Sequence, residues 1–251
     1  MTQTILMIHG MFGGGWVWEN YRKFFEGKGY TCITPTLRYH DTTPDDPPHP
    51  NLGTTSLLDY INDLEMEIQK LDTLPIIMGH SMGGLLTQIL GSRGFAQALV
   101  LLVPAAPRGI MALRYTVIRS IVSQLTCHSF WKNPIKPVFK NTVYSSLHLL
   151  PHDQQRKVFN RLGYESGRAA WEIGLALLDK NKASEVDESK VTCPVLVISG
   201  AEDRLTPASV VRKVASKYGA LSTYKEFKGH AHWVVGEPGW EDIAQYISDW
   251  L

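Results

Sequence analysis

Residues 75–84 run Pro-Ile-Ile-Met-Gly-His-Ser-Met-Gly-Gly, and no other stretch restricts the possible fold so tightly. An apolar run reads as a short buried strand, Gly79-His80-Ser81-Met82-Gly83 follows with the spacing G-x-S-x-G, and residues 82–93 continue with apolar positions at helical steps. A serine on so sharp a strand–turn–helix needs small neighbours, because a side chain at Gly79 or Gly83 would collide with the adjoining strand or helix backbone. Ser81 is expected to stand clear of the chain with its Oγ exposed. The competing reading is a helix N-cap serine in a glycine-rich turn.

Apolar runs that read as strands recur at residues 4–8, 30–34, 75–79, 97–103, 194–199 and, more weakly, 222–227. Helical patterns at 16–27, 54–72, 82–93, 207–218 and 238–251 lie between or after them. Strands alternating with helices imply an α/β fold with a mainly parallel, doubly wound sheet. The strands are continuous apolar runs, such as Val195-Leu196-Val197-Ile198, as expected where both faces are buried. Residues 107–190 break the rhythm. They show helical patterns punctuated by Pro134, Pro137 and Pro151 and no convincing strand, so they are expected to form an inserted helical cap on a core of residues 1–106 and 191–251. Residues 40–53, rich in proline and aspartate, are expected to be a surface loop. The last helix is expected to begin near Glu237-Pro238.

Length and charge narrow the partners. At 251 residues the chain fits one large domain or one domain with an insertion. Lys+Arg 25 against Asp+Glu 24 leaves a formal charge of +1 without long runs of either sign, which argues against a nucleic-acid or anionic-membrane surface and for a small neutral or apolar molecule. The N-terminal apolar run Ile5-Leu6-Met7-Ile8 is too short for a signal-peptide core or a membrane span, so a cytoplasmic location without stable membrane insertion is expected. Cys32, Cys127 and Cys193 form no C-x-x-C pair; Cys32 and Cys193 read as reduced core thiols.

A serine hydroxyl is a poor nucleophile at neutral pH and needs a base to take its proton and a third group to orient that base. His230 and His232 sit in the loop Gly229-His230-Ala231-His232-Trp233, after a late strand and before the last helix. Glu202 and Asp203 sit in the loop that follows the preceding strand. The order Ser81, Asp203, His232 is the Ser…Asp…His order that separates one serine-hydrolase architecture from the others. Two histidines at i and i+2 could alternatively form part of a metal site, but no third ligand is evident nearby.

With these residues in view the chain resembles the α/β-hydrolase superfamily from residue 4 to the C-terminus, the cap excepted. The similarity rests on His9-Gly10 after the first strand, the Gly79–Gly83 elbow, the Gly200–Pro207 segment, and His232-Trp233 followed by Glu237-Pro238. Gly-His-Ser-Met-Gly-Gly looks like the carboxylesterase and monoacylglycerol-lipase-like group. His9-Gly10-x5-Trp16-x-Trp18 with Pro35-Thr36-Leu37 looks like the plant methylesterase and hydroxynitrile-lyase branch. One departure stands out: Thr36-Leu37-Arg38-Tyr39-His40-Asp41 replaces an Asp-x-x-Gly-x-Gly turn found in many relatives.

The resemblance implies Ser81 as nucleophile, His232 as base and Asp203 as its orienting acid, with the backbone N–H groups of Met11 and Met82 as oxyanion donors. It implies a small carboxylic ester as substrate, with no cofactor and no metal. The same triad could instead serve C–C bond hydrolysis, perhydrolysis or hydroxynitrile-lyase chemistry, or survive in a non-catalytic ligand receptor. His9 is expected beneath the oxyanion loop as a hydrogen-bonding residue and His80 behind the triad. Aromatics such as Phe130, Trp131, Phe139, Tyr144, Phe159, Tyr164 and Trp171 either line a pocket or form the core of the cap. The run from Ile110 to Val122 could form an apolar face of the kind an interfacial lipase uses.

Overall fold

Six parallel strands build the central sheet of the computed structural model, which describes residues 2–41, 45–110 and 129–251. They are β1 (Thr4–Ile8), β2 (Thr31–Ile33), β3 (Ile76–His80), β4 (Ala98–Leu102) and, after a separate two-stranded pair of β5 (Pro134–Ile135) and β6 (Glu165–Ser166), β7 (Val195–Gly200) and β8 (Ser222–Phe227). Their order across the sheet is β2-β1-β3-β4-β7-β8. The helices are α1 (Glu19–Gly27), α2 (Leu57–Ile68), α3 (Met82–Ser92), α4 (Phe139–Thr142), α5 (His152–Phe159), α6 (Gly167–Gly174), α7 (Ala208–Ser216) and α8 (Trp240–Trp250).

Alternate residues along each strand enter different cores. Leu6, Ile8, Ile77, Leu99, Leu101, Val195 and Val197 pack with α2, α3 and α7 on one face, where Ile61, Leu86 and Val214 meet them. Ile5, Met7, Ile76, Met78, Val100, Leu196 and Ile198 pack with α1 and α8 on the other, against Tyr21, Phe25, Ile243 and Ile247. Two covered faces are why these strands read as unbroken apolar runs rather than alternating ones. The chain runs from β1 outward to β2 and then crosses back to β3 on the opposite side of β1. That reversal opens a crevice at the carboxyl ends of β1 and β3, the usual place for a ligand in an open parallel sheet. His9 and Ser81 follow directly at those two strand ends, where Ile8, the last residue of β1, pairs with Gly79, one before the end of β3.

Local signals explain the α2 start. Ser56 accepts the Leu58 N–H at 3.2 Å, and Asp59 receives the Ser56 N–H at 2.8 Å, a capping box that supplies partners for helix-end donors. Glu172 of α6 adds an acceptor at 2.8 Å for the Leu57 N–H.

Three expectations change. The span between β4 and β7 does hold strands, the antiparallel pair β5–β6, each only two residues long and so too short to leave a periodic signal. Helix α8 starts at Trp240 after Gly239, whose φ of +87° makes it the cap, and Glu237 lies outside the helix. The 40–53 loop is not wholly at the surface: Leu52 and Gly53 are buried in a 3-10 turn. A Cβ on Gly53 would come within 2.6 Å of the Asn133 and Pro134 backbone, so the loop closes tightly on the β5 segment. Ile110 packs against the core, while the rest of its apolar run, Met111 to Val122, lies outside the described residues, as does Cys127. Cys32 and Cys193 are free, and burial pushes the Cys32 thiol up to about 11. No helix among the described residues is long and apolar enough to cross a membrane.

Candidate active site

Ser81 joins β3 to α3 with φ +55° and ψ −117°, a left-handed conformation that costs a non-glycine residue about 1–3 kcal/mol. Hydrogen bonds hold it there: its N–H donates to Leu102 O at 3.0 Å, and its carbonyl accepts from Leu85 and Ala105 N–H at 3.2 and 2.9 Å. The flanking glycines are required by close approach. A Cβ at Gly79 would run into the Gly83 carbonyl and Thr87 Oγ1, and one at Gly83 would overlap the Ile8 and His9 carbonyl oxygens of β1 and its loop. Ser81 occupies the N-cap position of α3, yet its side chain makes no capping bond. Its Oγ instead meets His232 Nε2 at 2.9 Å, and the residue is only 8% exposed, so the hydroxyl faces a partner rather than open solvent.

The His232 ring continues the line. Its Nδ1 lies 2.8 Å from Asp203 Oδ2. With Nδ1–H donated to the carboxylate, Nε2 keeps its lone pair for the serine proton. Asp203 Oδ1 accepts the N–H groups of Leu205 and Thr206 at 2.7 and 2.9 Å, and Oδ2 receives the Thr206 hydroxyl at 2.8 Å. Burial alone pushes the Asp203 carboxyl up. His232 and the Thr206 donors outweigh that and hold it below the usual carboxylate range, so it stays ionised. Thr206 also reaches Val103 O at 3.0 Å, tying the acid loop to the end of β4, a role that sequence motifs did not single out.

The rivals face elsewhere. Glu202 is exposed. His230 pairs with Glu237, Nδ1 to Oε1 at 3.1 Å, and Glu237 also accepts the Ala231 N–H at 2.8 Å, fixing the loop that carries His232. His230 and His232 therefore serve different carboxylates, and no group of three metal-ligating side chains occurs among the described residues.

Met82 is the first residue of α3, buried directly behind Ser81. Met11 lies in the loop after β1. That loop reaches the serine through Gly10, where a Cβ would come within 3.0 Å of Ser81 Cβ. Below it, buried His9 donates Nδ1–H to Gly10 O at 2.8 Å and accepts the Leu37 N–H on Nε2 at 3.0 Å, which requires a neutral ring. Burial and nearby His40 push His9 down to about 3. His80 donates Nε2–H to the His232 carbonyl at 2.8 Å, and burial with the adjacent His232 likewise pushes it to about 3.

A second buried cluster lies on the other side of the Met11 loop. Glu165, with no exposed surface, accepts from His40 Nε2 at 3.1 Å and Phe12 N–H at 3.3 Å on Oε2, and from Tyr60 OH at 2.9 Å and Ser166 N–H at 2.7 Å on Oε1. Both nitrogens of the His40 ring face oxygens, Nδ1 meeting Arg38 O at 3.0 Å, so both carry protons. Burial alone would neutralise the pair, but each partner's charge and hydrogen bonds prevail, raising His40 above its ordinary value and lowering Glu165 below its own. His40 belongs to the segment that departs from the family's turn pattern. Glu165 sits where the sequence shows no motif.

A model of the alpha/beta hydrolase family matches residues 5–245, nearly the whole chain. The chain belongs to that family. Among solved structures, the hydrolase superposes on a monoacylglycerol lipase from Paleococcus ferrophilus at 19% identity and TM-score 0.71, covering 99% of this chain and 95% of the other. A methylesterase from Arabidopsis matches at 12% identity and TM-score 0.74, with 99% and 98% coverage. A pyrethroid hydrolase from Sphingobium faniae matches at 16% identity and TM-score 0.74, with 99% and 97% coverage. In this hydrolase the aromatic residues of the 130–171 span mostly have partners: Phe139 packs edge-on against Phe159 at 5.1 Å, Arg204 lies 4.9 Å above Tyr144, and Arg168 lies 4.9 Å above Trp171. Trp131, though exposed, packs edge-on against Phe130 at 5.7 Å.

Proposed function

We propose that this chain is a serine hydrolase that cleaves small carboxylic esters through an acyl-enzyme, with Ser81 as nucleophile, His232 as general base, Asp203 as its orienting acid, and the N–H groups of Met11 and Met82 as oxyanion donors. One observation carries the reading: the buried, unbroken line from Ser81 Oγ through His232 at 2.9 and 2.8 Å to Asp203. As Oγ attacks the ester carbonyl, its proton passes to Nε2 and the imidazolium is stabilised by Asp203. The proton then goes to the departing alkoxide as the acyl carbon–oxygen bond breaks. Water, deprotonated by the same nitrogen, repeats the sequence to release the acid and free the serine. Residues 107–190 act as the cap that shapes the acyl and alcohol pockets.

The test is an acyl-length series of p-nitrophenyl esters on wild type and Ser81→Ala, with fluorophosphonate labelling mapped by mass spectrometry. Hydrolysis lost in the variant and label on Ser81 are expected. Full activity in Ser81→Ala ends the proposal, and negligible turnover of every ester by a labelled wild type points to other chemistry from the same three residues.

A further inference from the structure

The Met11 loop is held from both sides, and one side is a buried charge outside the triad. The Gly10 carbonyl is fixed by His9 Nδ1–H at 2.8 Å and by Gly13 N–H at 3.3 Å. Since a trans peptide places the following N–H opposite its carbonyl, those bonds set the Gly10–Met11 plane. The next plane is set by its own N–H, that of Phe12, which donates to Glu165 Oε2 at 3.3 Å. Phe12 has φ +64°, unusual for a residue with a side chain, and its carbonyl accepts the Gly163 N–H at 2.9 Å. Segment 163–165 therefore grips Phe12 by both backbone groups. With both flanking planes fixed, the Met11 dihedrals and the direction of its N–H follow.

We propose that Glu165 is a positioning residue for ester hydrolysis: its buried carboxylate, clamped by His40, Tyr60 and Ser166, holds Phe12 and so aims the Met11 N–H at the oxyanion. This rests on the esterase reading above. Four donors converge on Glu165 from four parts of the chain: the β1 loop, the segment after β2, helix α2 and β6. Together they fill the acceptor positions of an ionised carboxylate, which offers no donor of its own. A purely structural anchor between the 107–190 span and the core would not need to seize a strained residue next to the oxyanion donor. It would also leave kcat untouched once the protein had folded.

Glu165→Gln keeps the shape but removes the charge, and it turns an amide N–H₂ toward donors on one side or the other. A shift of about 1 Å in a catalytic group can cost roughly 100-fold, and losing an oxyanion donor outright costs about 100- to 1,000-fold. The variant is expected to lose about 10- to 100-fold in kcat on p-nitrophenyl butyrate while KM stays within about threefold. Its Ki for an aryl trifluoromethyl ketone, which forms a tetrahedral adduct on the serine, should rise by the same factor. A folded Glu165→Gln with kcat and Ki within about twofold of wild type overturns the inference and leaves the esterase reading standing. If Glu165→Gln does not fold, Tyr60→Phe removes only one donor to Oε1; matched changes of about two- to fivefold in kcat and Ki support the inference, and no change overturns it. Failure of wild type to take fluorophosphonate on Ser81 is a different result, which overturns the esterase reading and this inference with it.

Discussion

Replacing Asp203 with Asn tests the site where the geometry is most specific. Oδ1 receives Leu205 and Thr206 N–H at 2.7 and 2.9 Å, and the amide oxygen of Asn can keep both. The amide N–H₂ must then replace Oδ2, 2.8 Å from His232 Nδ1. Two facing donors cannot coexist there, so the imidazole gives up its Nδ1 proton and carries one on Nε2 instead, aimed at Ser81 Oγ 2.9 Å away. A base already protonated at that nitrogen cannot accept the serine proton. In serine proteases this tautomer trap lowers kcat by about 10,000-fold, equivalent to about 5.5 kcal/mol of barrier. We expect Asp203→Asn to lose about 1,000- to 10,000-fold in kcat on p-nitrophenyl butyrate with an unchanged far-UV circular dichroism spectrum. A folded variant retaining more than about a tenth of wild-type kcat would refute the assignment of Asp203 as the orienting acid.

Gly79→Ala should destabilise the protein by about 3 kcal/mol or more, because the new methyl meets the Gly83 carbonyl and Thr87 Oγ1 with no room to retreat; a urea midpoint equal to wild type's contradicts this. The Glu165–His40 pair should make stability pH-dependent in a stated direction. Glu165, lowered from 4.5, contributes stability that is present above that value and lost as pH falls through its folded pKa. His40, raised from 6.5, contributes stability that is fully present below that value and lost as pH rises through its folded pKa. The difference in urea-denaturation stability between wild type and Glu165→Gln should therefore be largest between these two ordinary values and shrink toward both acid and alkali. A difference that stays flat from pH 4 to 9 refutes the charged pair.

Much of the architecture was legible in the residues themselves. Unbroken apolar runs located the four inner strands β1, β3, β4 and β7 to within one position, because a strand buried on both faces has no reason to alternate, while the edge strand β8 left only a weak signal. The glycines at 79 and 83 marked the elbow because a Cβ at 79 would meet the Gly83 carbonyl and Thr87, and one at 83 the Ile8 and His9 carbonyls. The helical pattern at 54–72 found α2 but overran it at both ends, and the Ser56–Asp59 capping box that fixes its start was not singled out. Signals of this kind are local in the sense that each pattern lies within a single short segment, even where the partner that imposes it is distant.

What only the tertiary structure decided involves partners far apart in sequence. Asp203 and His232 could be named from their loops, but their approach to Ser81, 151 positions before the histidine, is set by strands β3, β4, β7 and β8 lying side by side in one sheet. Glu165 shows no motif because its meaning comes from Phe12, 153 positions earlier, and His40, 125 positions earlier. The β5–β6 pair was invisible because two residues carry no period. A buried charge is tolerated only where donors from several elements converge on it, and that convergence is a property of the folded chain, written in no single segment.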